Sequence, residues 1–122
     1  IHTVLNNWYD QDLFKTINKK HELIKKRAQN NPVGIAHALT YFSVAKMPYL
    51  ENELKNFEDI AYISGKRDKK YNKLGLYIKK NYPHITHYEL ENTGHNCHLE
   101  NPKMYSKIWL DFINKDCQKK EC

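Results

Sequence analysis

The chain has 122 residues, 40% hydrophobic and 28% charged, which is ordinary for one globular domain with a modest core. Its net charge of +6 comes mostly from dispersed lysines. No nucleic-acid reader motif accompanies them, so they read as a solvated surface, and nucleic acid is not an expected partner. No stretch approaches the ~20 apolar residues of a membrane span, and no basic-then-apolar signal segment opens the chain. Cys97, Cys117 and Cys122 make an odd count with no CxxC pair, which points to a reducing compartment, the cytoplasm, rather than a disulfide framework. Cys122, at the very end, is expected to be frayed.

In chain order, residues 1–14 carry Val4, Leu5, Trp8, Leu13 and Phe14, an aromatic-rich stretch that is helical or irregular. The spacing predicts a helix over 17–28, with Leu23, Ile24 and Arg27 on one face. Asn30-Asn31-Pro32 breaks it. A second helix is predicted over 33–46, its apolar face formed by Ile35, Ala38, Leu39 and Phe42, and Met47-Pro48 stops it. Residues 50–58 are a short mixed stretch. The run Ile60 to Gly65 is compact and apolar, as in a buried parallel strand. Residues 70–81 form an amphipathic helix with Leu74, Tyr77 and Ile78 inside, and Ile85 to Leu90 alternates as a second strand. After a turn-rich segment, Pro102 opens a last helix that places Tyr105, Ile108, Trp109, Phe112 and Ile113 on one stripe.

The expected fold class is therefore α/β. Residues 1–50 form a helical segment, and residues 51–122 form a βαβα unit. Two strands alone make a poor sheet, so an incomplete domain is expected, with the rest of the sheet supplied by other residues. The first residue is Ile, not Met, which fits part of a longer polypeptide. The helical first third reads as an insertion lying over the sheet.

In open α/β sheets, functional groups collect beyond the carboxyl ends of the strands. Gly65-Lys66-Arg67-Asp68 follows the first strand, and Gly94-His95-Asn96 follows the second. A carboxylate accepting from one imidazole nitrogen fixes the tautomer and leaves the other nitrogen as a base. Asp68 among lysines also fits an ion-pair partner or a helix N-cap, and a single His is more often structural. Together the two positions favour chemistry. His98 is read as structural and Cys97 as a small packing residue.

The segment Tyr62 to Tyr71 resembles the triad-acid strand of α/β-hydrolases, and Gly94-His95-Asn96-Cys97-His98-Leu99-Glu100-Asn101-Pro102 resembles their triad-histidine loop. Upstream, Asn7 to Phe14 and Arg27 to Asn31 resemble the cap of the 2-succinyl-6-hydroxy-2,4-cyclohexadiene-1-carboxylate synthases of menaquinone biosynthesis. The resemblance runs to about residue 113. It implies an α/β-hydrolase fold, of which this would be the C-terminal part with its cap. It implies Asp68 as triad acid and His95 as base. Arg27 would hold a carboxylate of a small tricarboxylate substrate, with Trp8 and Phe14 beside the pocket. The implied reaction is a base-initiated elimination of pyruvate that needs no cofactor and no metal. In agreement, the sequence has no HExxH, no paired cysteine ligands and no glycine-rich phosphate loop.

One departure is decisive. The serines are Ser43, Ser64 and Ser106, and none sits in a G-x-S-x-G elbow. The nucleophile is therefore expected in a missing N-terminal half of the same protein, and the 122 residues alone are expected to be inactive. Two alternatives remain open. One is another α/β-hydrolase, such as a small-acid carboxylesterase, which shares Asp68 and His95 without needing Arg27. The other is a non-catalytic hydrolase-like module.

Overall fold

The computed structural model describes residues 1–120, of which 116–120 are described by backbone alone. Cys122 lies outside the described residues.

The aromatic-rich opening folds as helix α1, His2–Tyr9, and a 3-10 turn at Asp12–Phe14. So short a helix is not stable in water by itself. Burial holds it: Tyr9, Phe14 and Ile17 are buried, and Leu5, Leu13, Leu23 and Ile24 pack against them. A fully buried side chain of this kind contributes about 1.5–3 kcal/mol. The helix expected over 17–28 is shorter, α2 at Lys20–Arg27. Ile17 turns into the cluster instead, and Lys19 takes a left-handed backbone, φ 59°, which no helix continues through.

Helix α3 spans Pro32–Tyr41. Asn31 caps it, its Oδ1 accepting from the backbone N–H of Val33 at 2.9 Å, and Pro32 fills the first turn. The helix ends before the expected residue 46 because Ser43 is extended. The Ser43 hydroxyl accepts from Ala45 N–H at 3.3 Å and starts a separate 3-10 turn, Val44–Lys46. The expected apolar face of this helix is only partly buried. Ile35 is half-buried, while Ala38, Leu39 and Phe42 are exposed. A further 3-10 turn, Glu51–Asn56, leads into the sheet. The Glu51 carboxylate accepts from the hydroxyls of Tyr49, Tyr77 and Tyr82.

The second half has the expected strand–helix–strand–helix order: β1 at Ala61–Gly65, α4 at Lys69–Asn81, β2 at Thr86–Leu90 and α6 at Pro102–Lys120. A short turn of helix, α5 at Cys97–Glu100, precedes α6. The strands are parallel, in register from Ala61 opposite Thr86 to Gly65 opposite Leu90. Both strands therefore end side by side, and the turns that follow them are neighbours. Ile85 and Leu90 are the most deeply buried large side chains. The stripe on α6 faces β1 across an open apolar groove of about 290 Å³ lined by Ile63, Tyr105, Ile108, Trp109, Phe112 and Ile113. Among the described residues, no helix is long and apolar enough to cross a membrane.

The inner face of α4 differs from expectation. Leu74 and Tyr77 are exposed, the expected Ile78 is half-buried with Tyr71, and Gly75 is buried. The reason lies on β2. The His87 imidazole stands directly under the helix, and a Cβ at Gly75 would overlap it. His87 belongs to a polar seam. Its Nε2 lies 2.8 Å from the Ser64 hydroxyl, and Asn72 donates to Ser64 Oγ at 3.4 Å and to Glu89 at 2.8 Å. Burial pushes the His87 pKa below its ordinary value, so the neutral ring can accept from Ser64. This sets the sign of one substitution. Gly→Ala inside a helix ordinarily stabilises by about 0.5–1 kcal/mol. Gly75→Ala should instead destabilise by about 1–3 kcal/mol through overpacking, read as a lower melting temperature. Adding His87→Ala should remove that penalty. A melting temperature that rises in the single variant would show that the helix stands farther from β2.

Candidate active site

Chain geometry brings two turns together. β1 ends at Gly65, and a Cβ there would overlap the backbone of Thr93 and Gly94, so the turn after β1 lies directly against the loop after β2. Backbone bonds join them: Lys66 N–H donates to Leu90 O at 3.0 Å, and Arg67 N–H to Thr93 O at 2.8 Å. Side chains add a Lys66–Glu91 ion pair and a bond from Arg67 to Asn92 Oδ1 at 3.2 Å. The Thr93 hydroxyl, buried, donates to Leu90 O at 3.0 Å. Asn92 takes a left-handed backbone, φ 58°, that reverses the chain there.

On this scaffold Asp68 and His95 meet. Asp68 Oδ2 lies 2.7 Å from His95 Nδ1, and Asp68 Oδ1 accepts from the Tyr71 backbone N–H at 3.1 Å. Asp68 is thus both the N-cap of α4 and the partner of the imidazole. The Asp68 side chain is only 5% exposed, whereas that of His95 is 28% exposed. The carboxylate is therefore held from two sides, while the ring still reaches open space. A carboxylate on Nδ1 leaves the Nε2 lone pair directed away from it, the arrangement of a general base. Two aromatic rings fix the imidazole: Tyr71 at 4.7 Å between centroids and Phe14, edge-on, at 5.9 Å. A cavity of about 350 Å³ opens beside the pair, and Arg67 and Lys69 stand on its wall with Asp12 and Thr16.

The other residues singled out in the sequence lie in a second cavity. Arg27 and Trp8 share a space of about 230 Å³ with Leu5, Tyr9, Ile35 and Leu39. Arg27 Cζ sits 5.6 Å from the Tyr9 ring centroid, and among the described residues no carboxylate pairs with it. Phe14 connects the two places. Its ring lies 6.2 Å from that of Trp8 and 5.1 Å from that of Tyr9, besides its contact with His95. Cys97 is buried and its thiol is pushed up by that burial, so it is a packing group. His98 is exposed, its ring edge-on to Tyr105. Ser64 is engaged with His87 and Ser43 with its own turn. Sequence reasoning did not single out Thr16 or Thr93. Glu100 was visible only as a member of the histidine-loop pattern.

A parallel strand pair whose carboxyl ends carry an Asp–His couple, with a helical segment above it, is part of an α/β-hydrolase fold. The solved structure of MenH from S. aureus has this fold, with a TM-score of 0.83 at 22% identity over 93% of this chain and 45% of that one. No protein-family model matches the chain. Among curated proteins, the chain is similar to 2-succinyl-6-hydroxy-2,4-cyclohexadiene-1-carboxylate synthases. That of Salmonella arizonae is 33% identical over 103 residues, covering 82% of this chain and 39% of the relative. A putative one from Haemophilus influenzae is 34% identical over 107 residues, covering 85% and 41%. That of Yersinia enterocolitica is 28% identical over 115 residues, covering 92% and 40%. The chain thus spans about two fifths of the length of the curated relatives it matches.

Proposed function

We propose that these 122 residues are the acid–base and cap portion of a cytoplasmic menaquinone-pathway lyase. The reaction eliminates pyruvate from 2-succinyl-5-enolpyruvyl-6-hydroxy-3-cyclohexene-1-carboxylate and leaves 2-succinyl-6-hydroxy-2,4-cyclohexadiene-1-carboxylate. The observation that carries the reading is the 2.7 Å Asp68–His95 pair at the strand ends of a chain similar to those synthases. Asp68 holds His95 in the tautomer whose Nε2 is basic. His95 activates a serine supplied by polypeptide outside these residues, which would account for the share of the relatives left uncovered. His95 takes the serine proton, the serine oxygen takes the proton of the substrate ring, the ring C–O bond to the enolpyruvyl group breaks as the diene forms, and the departing enolate takes a proton back from His95 to leave as pyruvate. Arg27 binds a substrate carboxylate, with Trp8 and Phe14 lining the way to the base. No cofactor or metal takes part in this scheme.

The test is release of pyruvate by the full-length gene product, beside its His95→Ala variant. Release that vanishes in the variant is the expected result. Turnover of a simple ester without pyruvate release, lost in the same variant, would keep the pair and make the protein an esterase. No turnover of either by the full-length protein would leave a non-catalytic module.

A further inference from the structure

We propose that Glu100 and Thr16 form a bracket that positions His95 by tying the helical N-terminal segment to the histidine loop, an inference that rests on His95 being the base. The Glu100 carboxylate is shared. Its Oε2 accepts from the backbone N–H of Gly94, the residue immediately before His95, at 2.9 Å. Its Oε1 accepts from the Thr16 hydroxyl at 2.9 Å, across 84 positions of sequence. A charge-assisted bond of this kind is about twice as strong as one between neutral groups. The approach at this point is close: a Cβ on Gly94 would overlap the Thr16 side chain, so only glycine lets the segment sit down on the loop. Gly94 is buried, and Thr16 and Glu100 are half-buried.

The bracket fixes both sides of the base. Its loop end fixes the Gly94 backbone, one residue before the imidazole. Its far end sets the segment that carries Phe14, two residues before Thr16, whose ring stands edge-on to that imidazole. Asp68 holds His95 at Nδ1, which leaves rotation of the loop around that bond to be restrained by other contacts. Glu100 touches neither the Asp68–His95 bond nor the open face of the ring. It therefore acts through position, and a misplacement of about 1 Å can cost about 10²-fold in rate.

The experiment uses the full-length protein and its pyruvate-releasing reaction, or ester turnover if that is what it shows. Thr16→Val removes the hydroxyl and keeps the volume, and Thr16→Ser keeps the hydroxyl. Thr16→Val should lower kcat at least tenfold with KM changed less than twofold, and Thr16→Ser should restore it. Glu100→Ala, which loses the Gly94 bond as well, should lower kcat further, and adding Thr16→Val to it should change nothing more, because the Thr16 hydroxyl acts only through Glu100. Wild-type kcat in Thr16→Val, or losses that multiply in the double variant, would overturn the bracket. A general structural role would instead lower the melting temperature of Thr16→Val and Thr16→Ser alike, without the Ser rescue of kcat. His95→Ala separates the two ideas. If it keeps full activity, the base assignment fails. If it is inactive while Thr16→Val is normal, only the bracket fails.

Discussion

Replacing Asp68 with Asn in the full-length protein should lower kcat by about 10⁴-fold and leave the protein folded. The two oxygens of Asp68 do separate things, which makes the result informative. Oδ1 caps α4 by accepting from Tyr71 N–H, and Oδ2 accepts from His95 Nδ1. Asn is as good an N-cap as Asp, so its carbonyl keeps the bond to Tyr71. Its amide nitrogen then faces His95. A donor there forces Nδ1 to become the acceptor and moves the ring proton to Nε2, and the base loses the lone pair it needs. The loss of negative charge at the helix N-terminus costs only about 0.3–1 kcal/mol of stability. Asp68→Ala should differ, losing the rate and also about 1 kcal/mol of capping. Steady-state kinetics and thermal unfolding of both variants check this. A kcat within tenfold of wild type in Asp68→Asn would reduce Asp68 to a helix cap that happens to touch a histidine.

The meeting of Asp68 and His95 was legible because each follows a strand in a turn, the first strand apolar and the second alternating, and because both turns resemble family segments. The parallel register, with Gly65 opposite Leu90, turns that expectation into a 2.7 Å contact. What was not legible depends on long-range packing. Nothing local shows that Thr16 would reach Glu100, because the bond spans two segments whose approach is decided by the absence of a side chain at Gly94. The inner face of α4 was misjudged for the same kind of reason. Periodicity ranks Leu74 and Tyr77 as buried, but the space under the helix is taken by His87, and only Gly75 fits above it. The expected helix over 17–28 lost its first turn because Ile17 contributes more when buried with Tyr9 and Phe14 than when exposed on a lysine-rich helix. The apolar face of α3 is a third case. The pattern is that of a buried face, yet Leu39 and Phe42 are exposed among the described residues.

Arg27→Ala in the full-length protein should lower kcat/KM for the tricarboxylate substrate by about 10²-fold, which corresponds to ~3 kcal/mol, the upper range for hydrogen bonds to a charged group. This expectation rests on the proposed carboxylate-binding role of Arg27. Its guanidinium lies over Tyr9, no described carboxylate neutralises it, and it borders a cavity with Trp8. A planar donor fork matches a carboxylate better than an ammonium does, so Arg27→Lys should recover only part of the loss. The alternative role for Arg27 is to cover Tyr9, which is 2% exposed. That role predicts a lower melting temperature in Arg27→Ala and no change in kinetics. The position of Arg27 adds a further expectation. It shares its cavity with Trp8, and the Asp68–His95 pair lines a different one, with Phe14 between them. A substrate that engages both must be long enough to pass Phe14, with its charged end at Arg27 and its reacting end at His95. Phe14→Ala should then weaken the effect of Arg27→Ala, because the fixed path between the two ends is lost. Kinetics of a short neutral ester provide the control. Such an ester does not reach Arg27, so its turnover should be the same in wild type and Arg27→Ala. An equal loss for the ester and the tricarboxylate would mean that Arg27 supports the fold of the helical segment rather than the substrate.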